Sequence, residues 1–175
     1  MLTILDLCGG TGSWSAPYRE AGYDVRVVTL PEDVRLYEPP ENVHGILAAP
    51  PCTVFAGSGA CWPRTEEDML QGLSVVDACV RIVTATKPVW WCLENPVGKL
   101  KRWLGPWQMI FQPYEYGDPY TKKTCLWGKF NHPLKRPVEP TEGGKMHRLP
   151  PSEERAALRS VTPPGFAKAF FEANP

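Results

Sequence analysis

Apolar residues along this chain come in short runs closed by glycine or proline, with helix-period stretches between several of them. Leu2 to Leu7 is the first run. It leads through Asp6-Leu7-Cys8-Gly9-Gly10-Thr11-Gly12, which predicts a buried strand, a glycine turn and a helix to about Ala21. Gly22 closes that helix, and Tyr23 to Leu30 reads as a second strand. Asn42 to Ala49 reads as a third, stopped by Pro50-Pro51. A polar loop, Thr53 to Arg64, precedes Thr65-Glu66-Glu67-Asp68, a capping hydroxyl followed by acids. The helix that starts there runs to about Thr86 with Leu70, Leu73, Val76, Val80 and Val83 on its apolar face, and Pro88 ends it. Val89 to Leu93 is another strand, leading into Glu94-Asn95-Pro96. Two more strands are expected near Gln108 to Tyr114 and Thr124 to Trp127, with helices at Ser152 to Arg159 and Pro164 to Ala173.

Strands that alternate with helices predict an α/β sandwich with a mostly parallel sheet. Ligands of such folds bind beyond the carboxyl ends of the strands. Three motifs fall at strand ends here: Asp6–Gly12, Pro50–Cys52 and Glu94–Pro96.

Composition narrows the field. At 175 residues, 43% hydrophobic and 22% charged, the chain fits one folded domain over residues 1–175. No apolar run reaches the length of a membrane span, so none is expected. Met1 leads into Leu-Thr-Ile-Leu without a basic region or cleavage pattern, so a cytoplasmic location is expected. The six cysteines form no CxxC pair and read as reduced thiols rather than a metal or disulfide framework. The net charge is zero but polarised. Residues 1–86 hold five Lys/Arg against eleven Asp/Glu, and residues 87–175 hold fourteen against eight. Lys99, Lys101, Arg102, Lys122, Lys123, Lys129, Lys135, Arg136, Lys145 and Arg148 could together face phosphate, or be a solvated surface with no partner.

Each motif has a plain and a chemical reading. Glycines after a first strand allow a sharp turn, and they also let backbone approach a cofactor. The turn lacks the GK[ST] of a phosphate loop. Cys52 after two prolines is either a small buried filler or a thiol held rigidly toward a pocket. Glu94 at the end of an apolar strand is either a cap or ion-pair partner, or a desolvated acid able to give a proton to a base nitrogen.

In this order the three motifs resemble those of the cytosine-5 DNA methyltransferases, and the resemblance covers almost the whole chain. Asp33-Val34-Arg35 is similar to that family's acidic adenine motif, and Tyr120 to Trp127 to its QxRxR strand. Arg148-Leu149 and Thr162-Pro163-Pro164-Gly165-Phe166-Ala167 resemble its last two motifs. The resemblance implies a Rossmann-like class I S-adenosylmethionine-dependent methyltransferase sandwich with DNA as partner. It implies Cys52 as nucleophile at C6 of a flipped cytosine, Glu94 at N3, Asn95 positioning the catalytic loop, and Lys123 on O2 of the base or on phosphate. Methyl transfer from S-adenosylmethionine to C5 follows. The cofactor pocket is expected from Leu7, Gly10, Gly12, Ser13, Thr29, Asp33, Pro50 and Thr162, with Phe166 at its border. Thr53 to Arg64 is expected to be a mobile lid, with Gly57-Ser58-Gly59 as its flexible part.

The chain also departs from the family. Thr29 stands where an acid meets the ribose, with Glu32 as a substitute. Ser13 replaces the last glycine, Thr53 follows the cysteine, and Cys125 replaces the second arginine of QxRxR. Only residues 128–147 stand where a target-recognition domain is usual, so a short remnant is expected. It implies a very short target, little sequence preference or an accessory partner, and leaves a monomer open. Such compact forms occur in phages and mobile elements, so a phage origin within a bacterial host is the expectation. Two alternatives stay open: C5 chemistry on cytosine in RNA or a nucleotide, or with a modified methyl donor, and a degenerate nucleic-acid-binding module.

Overall fold

Five successive buried residues make β1 (Thr3–Leu7) an inner strand of the sheet. It pairs in parallel with β2 (Asp24–Val28) on one side and β3 (Gly45–Ala48) on the other. β4 (Trp90–Pro96) joins β3 in parallel. β6 (Thr124–Lys129) is antiparallel to β4, and β5 (Met109–Phe111) antiparallel to β6. The order is β2-β1-β3-β4-β6-β5, the mostly parallel α/β sheet that the sequence predicts. β1 and β3 are buried without a break because both of their faces are covered. This computed structural model describes residues 1–59 and 63–175; Ala60, Cys61 and Trp62 of the expected lid lie outside the described residues.

Helices cover the two faces. α1 (Ala16–Glu20) and α5 (Pro164–Ala173) bring Tyr18, Phe166 and Phe170, with Trp14 just before α1, onto Ile4, Leu47, Trp90, Cys92 and Leu126. α2 (Glu66–Thr86) packs Val76, Cys79 and Ile82 onto Leu5, Ile46, Leu93 and Trp127. Each large apolar side chain so buried contributes about 1.5–3 kcal/mol. Thr65 caps α2 as its sequence predicts: its hydroxyl accepts from the Asp68 amide at 3.0 Å, and the Asp68 carboxylate accepts from the Thr65 amide at 2.9 Å. Leu70 is a correction. It is 54% exposed, while Met69 and Leu73 of the same turns pack on the core with Val76, Cys79 and Ile82, so Leu70 lies at the edge of the contact face. By length and hydropathy (1.3) α2 could cross a membrane, yet it lies on the sheet.

α3 (Lys101–Leu104) and α4 (Arg155–Ser160) are short, and α3 has no helical signature in the sequence. β5 stops at Phe111, since Pro113 starts a 3-10 turn over Pro113–Tyr116. The segment at 128–147 leaves β6 and forms a strap. The Arg136 and Val138 amides donate to the Glu115 and Tyr114 carbonyls at 2.9 and 2.8 Å.

Asp6 is fully buried at the end of β1, where Ser15 Oγ donates to it at 2.5 Å. Its other oxygen has no partner among the described residues. Gly9 is required above it, since a Cβ there would stand 2.5 Å from the Asp6 carboxyl carbon. Burial wins over the hydroxyl and Arg19, and pushes the Asp6 carboxyl up to about 6. A folded value above the unfolded one means stability that is full below about pH 4 and lost as pH rises through 6. The loss approaches roughly 3 kcal/mol at neutrality. Asp6→Asn is therefore expected to be more stable than the parent at pH 7, and its advantage should widen by about 1 kcal/mol between pH 5 and pH 7. Urea unfolding at both pH values checks this, and a constant difference would contradict it.

Candidate active site

The carboxyl ends of β1, β3 and β4 point the same way because these strands are parallel. Each carries one motif. Pro50-Pro51 straightens the chain out of β3, and Cys52 then opens a helical turn whose carbonyl accepts the Phe55 and Ala56 amides at 3.0 and 2.8 Å. Cys52 is half-buried. Asn95, fully buried on β4, donates from Nδ2 to the Pro50 carbonyl at 2.9 Å. This bond ties the strand of Glu94 to the turn of Cys52.

Glu94 lies on the opposite face of β4 from Asn95. It lines a cavity of about 10 Å³ with Trp14, Phe111, Lys122, Thr124, Thr162, Pro163 and Phe166. That is room for about one water, so a pyrimidine ring enters only if the lining parts. Lys122 Nζ holds the lining shut by donating to the Arg159 carbonyl at 2.6 Å. Phe111 and Phe166 stack at 3.7 Å, and the Trp14 indole N–H is buried without a partner.

The charges of this site act on one another. Burial pushes the Glu94 carboxyl up, and Lys122 draws it down. Burial also pushes the Cys52 thiol up, with the Glu94 charge adding to it; Lys122 and Arg159 oppose both. Glu94→Gln removes one of the two causes that hold the proton on Cys52. The midpoint of Cys52 alkylation by iodoacetamide is therefore expected at lower pH in that variant. Peptide mass spectrometry across a pH series reads this out, and an unmoved midpoint would place the two groups in separate environments.

Lys122, and not Lys123, stands beside Glu94. Glu94 pairs with Leu126, so residues 122, 124 and 126 share its face, while Lys123 and Cys125 take the other. Lys123 is exposed and acts on Cys125, whose thiol burial pushes up to about 11. Sequence reasoning also missed Trp14, Phe111 and Thr124 as wall residues.

The expected cofactor residues gather at the end of β1. Cys8, Gly10 and Gly12 all take positive φ, and the Gly12 amide donates to the Gly9 carbonyl at 2.9 Å. Leu7 points into the core, and Pro50 is buried. Ser13 Oγ accepts from the Thr162 amide at 2.9 Å, joining the turn to the segment before α5. Asp33 is close enough to act on the Cys8 thiol, but Arg35 already grips its carboxylate through Nε and a terminal nitrogen. Arg35 holds that carboxyl below its usual range. Thr29 is partly exposed after β2 and Glu32 is exposed, so no buried acid stands at the ribose position.

The described part of the expected lid is tied down. The Gly57 amide donates to the Val97 carbonyl at 3.0 Å, and the Lys99 amide to Phe55 at 2.8 Å. Arg64 donates to the Thr53 carbonyl at 2.8 Å. Gly57–Gly59 is a 3-10 turn rather than a free link.

No protein-family model matches this chain, and no curated protein does. Among solved structures it is similar to a candidate DNA modification methyltransferase encoded within an E. coli prophage. The TM-score is 0.53 at 18% identity, over 88% of this chain and 50% of that one. It also matches a triple mutant of Spodoptera frugiperda DNMT2 at TM-score 0.42 and 20% identity, over 74% and 50% of the two chains, a likeness too loose to carry an argument. The chain thus spans about half the length of the solved structures it matches. At these identities the likeness speaks to architecture alone: the chain adopts the Rossmann-like α/β sandwich of methyltransferases.

Proposed function

We propose that this chain methylates C5 of cytosine in DNA through a covalent Cys52 adduct at C6, with the base turned out of the duplex. The observation that carries this reading is the placement of Cys52 and Glu94 at the same end of adjacent parallel strands, where the Glu94 charge acts on the Cys52 thiol. The DNA part rests on the likeness to the prophage DNA modification methyltransferase and on the sequence motifs.

Part of the place expected for a methyl donor suits one. Gly10 leaves the backbone open, since a Cβ there would meet only Ser160 Oγ, at 3.9 Å. Trp14, Thr162 and Pro163 line the same cavity. The ribose position lacks its acid, so weaker binding is expected there. When bound, S-adenosylmethionine supplies an electrophilic methyl on sulfur.

The chain's own residues do the rest. Cys52 gives up its proton and its sulfur forms a bond to C6. Glu94, whose carboxyl burial pushes up, donates to N3, so negative charge does not accumulate on the ring. Lys122 supplies positive charge beside both once it releases the Arg159 carbonyl. Loss of the C5 proton to solvent then breaks the carbon–sulfur bond and frees Cys52, while the N3 proton returns to Glu94. Labelled methyl transfer to DNA, RNA and a cytosine nucleotide, run side by side with Cys52→Ala, tests the reading. Label in DNA at C5 that needs Cys52 supports it; label in RNA or nucleotide alone would refute the DNA assignment.

A further inference from the structure

The sequence offers ten basic residues as a phosphate-facing surface, and the fold divides them. Lys135 pairs with Glu115 at 2.6 Å, Arg136 with Glu172 at 3.5 Å, and Lys145 with Glu142. Arg148 donates to the Glu142 carbonyl, and Lys122 is held at Arg159. Lys129 lies opposite Trp91, at the far end of the sheet from Cys52. Lys99, Lys101, Arg102 and Lys123 remain, and among the described residues none of them is in an ion pair.

These four gather at one place. Lys99, Lys101 and Arg102 follow the carboxyl end of β4, and Lys123 precedes the antiparallel β6 at that same end. Lys101 and Lys123 both act on the Cys125 thiol between them. Trp103 is 45% exposed among them, and its inner edge packs on Phe55 of the Cys52 turn at 6.0 Å. Lys101 is steadied over the Trp107 ring at 5.6 Å.

We propose that Lys99, Lys101, Arg102 and Lys123, with Trp103 as a stacking surface, dock the sugar-phosphate backbone of DNA beside the nucleotide that enters the site. This rim stands on the face of β4 and β6 opposite the Glu94 cavity, so a strand crossing the sheet end reaches both. It takes up the role of a recognition domain for which residues 128–147 are too few. The identity of the polymer rests on the reading above; the surface itself rests on unpaired charge and exposed aromatic area. Phosphate contacts supply salt-dependent affinity without sequence choice, and stacking on Trp103 is equally sequence-tolerant.

The test is DNA binding by fluorescence anisotropy across a salt series, with no methyl donor present. Lys101→Ala/Lys123→Ala/Arg102→Ala is expected to flatten the log–log salt slope by about 2 to 3 units and to weaken binding on the order of 10²-fold. Lys129→Ala, at the far end of the sheet, is expected to bind as the parent does. An unchanged slope in the triple variant, equal weakening by Lys129→Ala, or a loss seen with RNA but not DNA overturns the proposal. A flattened slope in a protein that transfers no methyl group supports the docking surface while refuting the chemistry.

Discussion

Cys52→Ala is expected to abolish methyl incorporation into DNA, by on the order of 10⁴-fold or more, while fold and DNA affinity stay as in the parent. The size of the effect follows from the chemistry. Without a sulfur–C6 bond the ring has no route to a nucleophilic C5, so the loss falls on turnover rather than on binding. Structure makes the variant a clean one. The thiol is half-buried, and the turn is held by backbone bonds from Phe55 and Ala56 to the Cys52 carbonyl, which alanine keeps. Radiolabel transfer at saturating DNA, with circular dichroism and anisotropy as controls, checks it. Parent-like incorporation by the alanine variant would end the covalent reading.

A second large effect is expected at Gly98, which has no side chain to take part in the chemistry. A Cβ there would stand 1.9 Å from the Phe55 carbonyl oxygen and 2.9 Å from the Gly57 amide nitrogen. Backbone cannot give way as a flexible side chain can. Ala56 bridges Gly98, the Lys99 amide donates to Phe55 and the Gly57 amide to Val97, so the Cys52 turn is laced to the segment after β4. Gly98→Ala must break that lacing. The expected cost is about 2 kcal/mol, a fall in melting temperature of roughly 5 °C. Turnover should fall on the order of 10²-fold, because the thiol moves relative to Glu94. Calorimetry together with the transfer assay reads both. A variant with parent stability and activity would mean that the loop does not depend on this contact.

What could be read locally came out of the sequence. The strands at β1, β3 and β4, the α2 cap at Thr65 and Asp68, and α5 at Pro164–Ala173 are set by neighbours within about one turn or one pleat. Asp6–Gly12, Pro50–Cys52 and Glu94–Pro96 fall at strand ends for the same reason. Tertiary structure decided what depends on partners distant in the chain. The register of β4 on β6 turned Lys122 toward Glu94 and Lys123 away, although the two are adjacent in sequence. Only that register reveals which of two neighbouring lysines shares a face with a carboxyl on another strand. Two of the ion pairs that decide which charges are left to meet DNA were likewise made by distant acids, Glu115 for Lys135 and Glu172 for Arg136. Leu70, though apolar, was left outside because the core took Met69 and Leu73 on either side of it. Sequence periodicity marks which positions can face a core; long-range packing chooses which of them do.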